Sequence, residues 1–373
     1  MGMRSMALTR ALDSGAEPEV WVRFPRLLGD VLFVLPFLHS LQAAWNAEAA
    51  RSGRRLRWIA LGRAMGAGLL AQADERFISE LKLDEREGKL SPFALAAGWR
   101  RSGPPAAVVT LGQSARLALA AWMGGVPIRA GIADNGLRIL YHAPVSYRGV
   151  NEHLAARLHG LSDQLGVPAP RFRHLSPALL GGRSGIGKLR QSGWDGRERL
   201  VVLAPGTRAS GKRWNPERPH WPELARRLVD RGLRPVVLGT AEEMDLAEAI
   251  QSGAPGTLSL VGQTDLPEAA AVLELAGAAI AVDTGLAHLA AATGCATVTL
   301  FGPSHERFAQ PVGPWSMALR GQPVGMHPGD LRVSQPHEDD SLARLQPGRV
   351  VRALAALLAE REEEEVMPVA ERA

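Results

Sequence analysis

The chain has 373 residues, 46% of them hydrophobic, with formal net charge +5, mean hydropathy −0.04 and a sequence pI near 9.9. At about 150 residues per domain this is enough for two domains with cores of their own, which excludes a small stapled or disordered chain. No run of about 18 apolar residues is present, so an integral membrane protein is not expected, and a single cysteine, Cys295, excludes intrachain disulfides and cysteine-built zinc or iron–sulfur sites.

Met1 to Val20 carries acids and lacks the apolar stretch of a secretory signal, so a cytoplasmic protein is expected. The ten histidines show no H-E-x-x-H spacing, and no metal is expected. The charges are divided along the chain. Residues 1–190 hold 25 Lys plus Arg against 14 Asp plus Glu, net +11, whereas 191–373 hold 18 against 24, net −6. A basic first half suits an anionic partner: nucleic acid, a membrane surface or a phosphorylated substrate.

In chain order, Val20–Phe24 has strand character, and Gly29-Asp30 opens a long apolar helix to about Trp45 that tolerates Pro36. Strands follow at Leu56–Leu61 and Ala106–Leu111, with helices at Gln113–Trp122 and Glu152–Gly166 by their apolar spacing. Pro168, Pro170, Pro177 and the glycine-rich run 181–187 then place a boundary near 180. The expected organisation is a first domain over 1–180, a second over 181–345, and a C-terminal helix with an acidic tail over 346–373.

The second half alternates more cleanly. Strands are expected at Leu200–Ala204, Pro235–Gly239, Leu258–Val261, Ala279–Val282 and Ala296–Phe301. Between them come helices at Trp221–Arg231, Glu242–Gln251, from the capping-box pair Asp265/Glu268 to about Gly277, and Leu286–Thr293. A last amphipathic helix covers Gln346–Leu358, and Glu362–Glu365 reads as a solvated tail. Strands joined by helices through right-handed crossovers make an α/β, doubly wound parallel sheet, whose ligands sit beyond the carboxyl ends of the strands.

Those turns carry the chemistry. After Ala204 come Pro205-Gly206-Thr207 and then Lys212-Arg213-Trp214, an anion-binding layout in which glycine permits close backbone approach and Lys212 reaches a phosphate. Lys212 is the only lysine in residues 191–373. After Val282, Asp283-Thr284-Gly285 and His288 bring a carboxylate, a hydroxyl and a backbone amide to a helix start, suited to phosphate or ribose; helix capping by Asp283 or Thr284 is the plainer alternative. Glu242, after the strand ending at Gly239, is a candidate acceptor for ribose hydroxyls. In the first half Asp30 occupies the corresponding turn and is the candidate general base, with capping again the alternative.

Two further features read as structural. Gly182 to Lys188 has G-x-x-x-x-G-K spacing, but Leu189 replaces the magnesium-holding Ser or Thr and no strand precedes it. Cys295, between Gly294 and Ala296, reads as buried filler. Aromatic residues at 5% do not interleave with basic ones as single-stranded nucleic acid requires, so no nucleic-acid partner is expected.

Arg23-Phe24-Pro25, Gly29-Asp30 and Pro36 together resemble the opening of the heptosyltransferases of lipopolysaccharide inner-core synthesis, glycosyltransferase family nine. Pro205-Gly206-Thr207 with Lys212-Arg213-Trp214, then Gly239 to Glu242, then Asp283-Thr284-Gly285-Leu286-Ala287-His288 followed by Phe301-Gly302-Pro303 resemble that family's donor-side motifs in order and spacing. The likeness runs from about residue 20 to 318.

The resemblance implies a GT-B architecture: two Rossmann-like domains facing across a cleft, the donor bound by the C-terminal domain and the acceptor by the N-terminal one. It implies ADP-heptose as donor, a phosphorylated lipid-anchored core oligosaccharide at the inner membrane face as acceptor, and inverting transfer with neither a metal nor any other cofactor. Asp30 would take the acceptor's hydroxyl proton. Thr207, Lys212 and the amides at Thr284-Gly285 would hold the diphosphate, with Lys212 stabilising its developing charge. Glu242 would take ribose hydroxyls, Asp283 and His288 would position the heptose or the diphosphate, and backbone near Thr264 would meet the adenine.

Two departures stand out. A cysteine-containing segment common in the family is replaced by Pro336-His337-Glu338-Asp339-Asp340, and the acidic stretch Asp74–Leu90 has no counterpart. The alternatives to a heptosyltransferase are another GT-B-type enzyme using a different nucleotide sugar, transferase or epimerase, and a non-catalytic nucleotide-sugar or membrane-surface binding protein.

Overall fold

The computed structural model describes residues 17–62, 80–83, 91–133, 136–146, 153–172, 175, 182–208, 212–214, 219–302, 304, 306–320 and 342–366. It divides into two units, Met1–Arg173 and His174–Ala373, so the division falls after Arg173 rather than near 180. The segment Pro336–Asp340 lies outside the described residues, as does most of Asp74–Leu90.

The first unit is built on six parallel strands among the described residues: β1 (Glu19–Arg23), β2 (Arg57–Gly62), β3 (Glu80–Leu83), β4 (Ala107–Thr110), β5 (Ile128–Ile132) and β6 (Ala143–Val145). Their order is β3-β2-β1-β4-β5-β6. The chain builds outward from β1 on one side and then returns to the other, so β1 and β4 flank the switch point where the turns leaving the sheet diverge. Helices α1 (Leu28–Arg51), α2 (Pro92–Ser102), α3 (Ala115–Met123) and α4 (Leu154–Leu165) cover the sheet, with a 3-10 turn at Leu137–Leu140.

Helix α1 is long because its apolar residues are nearly continuous, and Val31, Phe37, Leu38, Leu41 and Ala49 are essentially inaccessible. By length and composition it could cross a bilayer, but 67% of its most apolar stretch is buried inside this unit, which makes it a core helix. Trp21 meets Trp99 edge-on at 5.2 Å, and Trp45 stacks on Trp58 at 6.2 Å. Burial of side chains this large stabilises the unit by about 1.5–3 kcal/mol each.

Gly131, at φ +135°, lies so close to β4 that a Cβ there would stand 2.2 Å from the Thr110 carbonyl oxygen. Both the backbone angle and the space require glycine. Gly131→Ala is therefore expected to destabilise the protein by about 2–4 kcal/mol. Urea denaturation checks this, and an unchanged midpoint would count against the close approach.

The second unit repeats the plan. Its strands are β7 (Arg199–Ala204), β8 (Leu233–Val237), β9 (Leu258–Ser259), β10 (Ala278–Val282), β11 (Ala296–Phe301) and β12 (Ser316–Arg320), all parallel, in the order β12-β11-β10-β7-β8-β9. Counted from its own first strand, this is the order of the first sheet. The helices are α5 (Arg183–Gln191), α6 (His220–Val229), α7 (Met244–Gly253), α8 (Leu266–Ala276), α9 (Gly285–Ala292), α10 (Glu306–Ala309) and α11 (Pro347–Val366).

The expected Asp265/Glu268 capping box opens α8, each side chain accepting from the other residue's backbone N–H. Cys295 is buried, and burial pushes its thiol up to about 12, far from reactivity. The last helix departs from expectation in two ways. It continues past Leu358 to Val366, so Glu362, Glu363 and Glu364 are exposed helical residues rather than a tail. Through Val350, Val351, Leu354 and Leu357 it also joins the core of the second unit instead of standing apart.

Candidate functional site

In the second sheet the switch point lies between β7 and β10, where Ala204 pairs with Ala281. The turns leaving these two strands hold Pro205-Gly206-Thr207 and Asp283-Thr284, and Lys212 follows the first of them. Asp283 is the hub. Its Oδ2 accepts from Lys212 Nζ at 2.5 Å and from Ser304 Oγ at 2.5 Å, while His288 Nε2 lies 3.9 Å from its Oδ1.

Asp283 and His288 are buried, and the Lys212 side chain keeps 28% of its exposure. Burial alone would raise the Asp283 pKa. The nearby His288 imidazole, the charge and hydrogen bond of Lys212 and the Ser304 hydroxyl outweigh it and hold the carboxyl far below the usual carboxylate range. Asp283 is thus an ionised, buried partner that fixes the Lys212 ammonium at the carboxyl end of the sheet.

Thr284 and Gly285 mark the start of α9. Thr284 has extended N-cap geometry (φ −145°, ψ 165°), yet its side chain makes no capping hydrogen bond. The Asp283 carboxylate is occupied by Lys212 and Ser304. Thr284 therefore does not act as a side-chain cap, and the positive end of the α9 helix dipole lies at this turn.

The next turn sets two neighbouring carboxylates apart. Glu242 is exposed, whereas its neighbour Glu243 turns inward. Residues Ala241–Glu243 form a 3-10 turn ahead of α7, and Glu243 Oε2 accepts from both the backbone N–H and the hydroxyl of Thr240. A Cβ placed on Gly206 would lie 2.6 Å from Glu243 Oε1, and one on Gly239 would lie 2.9 Å from Oε2. Two glycines therefore make the space that this carboxylate fills. The carboxylate beside the phosphate-type turn is Glu243, because the tight turn points successive side chains in different directions.

Thr207 is half-buried on the turn after β7. Thr264 is half-buried on the turn after β9, and the Gly262 amide donates to the Gly239 carbonyl at 3.0 Å to tie that turn to the one after β8. The Walker-like segment is structural. Lys188 sits inside α5 and donates to Glu268 Oε2 at 2.6 Å and to the Gln263 carbonyl at 2.7 Å, pinning α5 to the start of α8.

Residues 169–328 match the family model of glycosyltransferase family 9 (heptosyltransferase). This region is similar to the members of that family. It is 29% identical over 169 residues to lipopolysaccharide heptosyltransferase 2 of Escherichia coli K12, a match covering 44% of this chain and 48% of that protein. The chain spans about half the length of the curated relatives it matches.

Solved structures share the fold across both units. A family 9 glycosyltransferase from Veillonella parvula superposes with TM-score 0.73 at 20% identity, covering 92% of this chain and 98% of that one. The E. coli heptosyltransferase WaaC, solved with ADP-2-deoxy-2-fluoro heptose, superposes with TM-score 0.62 at 21% identity, covering 91% and 99%.

Within the region that matches the family model, the structure brings Lys212, Asp283 and His288 together, and Thr207, Thr284 and Gly285 lie on the same turns. Ser304 was missed. It stands just beyond Phe301-Gly302, and its contact with Asp283 joins turns that are distant in the chain. In the first unit Asp30 is half-buried in the first turn of α1, just after β1, and the N-cap Leu27 supplies no side-chain capping bond. Asp30 therefore occupies, on the first sheet, the turn that holds the Lys212 segment on the second.

Proposed function

We propose that the protein is a heptosyltransferase that transfers heptose from ADP-heptose to a phosphorylated, lipid-anchored oligosaccharide of the lipopolysaccharide inner core. The observation that carries this reading is a row of turns. Strands β10, β7, β8 and β9 are successive neighbours, and their carboxyl ends present Asp283–Gly285, Pro205–Thr207, Gly239–Glu243 and Gly262–Thr264 in that order. At about 4.8 Å per strand the row extends roughly 14 Å, the shape of an elongated ligand with charge at one end.

Lys212, Thr207 and the amides at Thr284-Gly285 suit a diphosphate over β10 and β7. Glu243 suits ribose hydroxyls over β8, in place of Glu242, and the backbone near Thr264 suits the base over β9. Asp283 and His288 stand beside the diphosphate end, where the sugar would join.

The chemistry follows as a single displacement. The acceptor hydroxyl oxygen attacks the anomeric carbon, its proton passes to Asp30, and the bond from carbon to the diphosphate oxygen breaks with its electron pair leaving on ADP. Attack opposite the leaving group inverts the anomeric centre. Lys212 and the α9 amides would meet the charge that develops on the diphosphate, a task for which preorganised donors suffice without a metal ion.

The net +11 of residues 1–190 suits an anionic acceptor. Turns and helix starts at the carboxyl end of the first sheet expose Leu27 and Phe93 together with Arg26 and Arg116, a mixture that suits a phosphorylated glycolipid. This supports a cytoplasmic enzyme working at the inner membrane face.

Thermal unfolding with ADP, ADP-heptose and UDP-sugars at matched concentrations tests the donor. A ligand at 100 times its Kd stabilises by about 2.7 kcal/mol. Stabilisation by the ADP compounds alone is expected. A preference for UDP-sugars would overturn the heptose assignment, and no response to any nucleotide would overturn the transferase reading.

A further inference from the structure

Asp283 is held by more than the residues of its own turn. Ser304, on the segment between β11 and α10, donates to the same Oδ2 that Lys212 uses. Ser304 is fixed in turn from behind: the Arg320 side chain on β12 donates through Nη2 to the Ser304 carbonyl and through Nε to Glu306 Oε2 at 3.0 Å. The outermost strand β12 is thereby wired to a carboxylate two strands away, through β11's turn, since the sheet order at this edge is β12-β11-β10.

The arrangement has a physical logic. A carboxylate that pairs with a single lysine can rotate about its last bond and let the flexible ammonium wander. A second donor on the same oxygen fixes the carboxylate plane, and so fixes where the ammonium stands. The groups facing Asp283 are Lys212 from the turn after β7, His288 from α9 and Ser304 from the turn after β11, with Arg320 and Glu306 behind Ser304.

We infer that Ser304, braced by Arg320, is a positioning residue that locks the Asp283–Lys212 pair in the geometry required for the nucleoside diphosphate of the donor. This rests on the donor reading above for its second measurement but not for its first. Without the hydroxyl, the Asp283 carboxylate and with it the Lys212 ammonium are held less firmly, so nucleotide binding weakens.

The experiment compares wild type with Ser304→Ala and Ser304→Thr in the full-length protein. The first readout is ligand-free: the rate at which acetic anhydride modifies Lys212, followed by mass spectrometry on that peptide against Lys188 as internal reference. The second is the Kd for ADP at neutral pH. Loss of a hydrogen bond to a charged group corresponds to about a tenfold change.

Ser304→Ala is expected to be modified at Lys212 several times faster and to bind ADP about tenfold more weakly at neutral pH. Ser304→Thr, which keeps the hydroxyl, is expected to match wild type in both. Unchanged Lys212 reactivity in Ser304→Ala, or a Thr variant as impaired as the Ala variant, would overturn the assignment. A wild type that fails to bind ADP would sink the donor reading instead, and Lys212 reactivity would still decide the role of Ser304.

Discussion

Asp30→Asn is expected to lower kcat by about 10²–10⁴-fold, the usual contribution of a positioned general base, while the Kd for ADP stays within about twofold of wild type. The reason lies in the division of labour between the units. Asp30 belongs to the first unit, Met1–Arg173, and the residues proposed to hold the nucleotide all belong to the second. Asparagine keeps the size and most of the polarity of the side chain at the start of α1, so the helix should form normally, but it cannot accept the acceptor's proton. Single-turnover transfer measured beside ADP titration separates the two effects. Retained turnover would remove Asp30 from the mechanism, and lost ADP affinity would place it in the donor site.

Lys212→Ala is expected to affect stability and binding together. Asp283 is 7% exposed and loses its main charged partner. Removing one member of a buried pair costs about 3–5 kcal/mol, and the retained contacts with Ser304 and His288 put this case at the lower end. For a unit of this size, about 3 kcal/mol lowers Tm by roughly 6–12 °C. ADP affinity should fall by roughly a hundredfold through loss of a charge-assisted contact to phosphate.

The stability loss has a definite pH signature. The folded-state pKa of Asp283 is depressed, so the carboxylate contributes stability above its ordinary unfolded value and loses it as pH falls toward the folded one. Wild type and Lys212→Ala should therefore differ most above about pH 4 and converge in stronger acid. Melting curves across that range check it. A constant gap at every pH would mean that Lys212 acts through packing alone, and Lys212→Arg should recover stability better than ADP affinity.

The strands legible in the sequence were those buried on both faces. Val20-Trp21-Val22, Leu200–Ala204 and Ala278–Val282 are continuous apolar runs because parallel strands covered by helices have no solvent side. Four of the described strands escaped notice: β5, a short buried strand interrupted by Arg129 and Gly131, and the edge strands β3, β6 and β12. Glu80–Leu83 is the edge strand β3 and begins with a charge, and Ser316–Arg320 is the edge strand β12, half-exposed along most of its length. The expected five-stranded second sheet is six-stranded for that reason. Helix α2 also went unread, because only Ala96 and Trp99 of its apolar residues are buried and no continuous apolar face marks it.

At the site, the chemistry-bearing residues next to strand ends were legible because topology alone brings such turns together. Lys212 and Asp283 needed only the knowledge that β7 and β10 are neighbours. Glu242 and Glu243 could not be told apart, since the choice depends on a single 3-10 turn and on the space left by Gly206 and Gly239. Ser304 carried no local signal, because a serine after a strand is ordinary and its partner stands on a different turn.

The repeated sheet order has a consequence for how such a chain can change. At the same station of each copy, just after the first strand, one half presents a carboxylate and the other an ammonium, on separate scaffolds with separate cores. Because each station rests on its own sheet and core, the specificity of one half is a separate target for substitution from that of the other. Repetition of a single topology gives the protein two independently adjustable controls, and chimeras that exchange whole units at Arg173/His174 are the natural way to turn them one at a time.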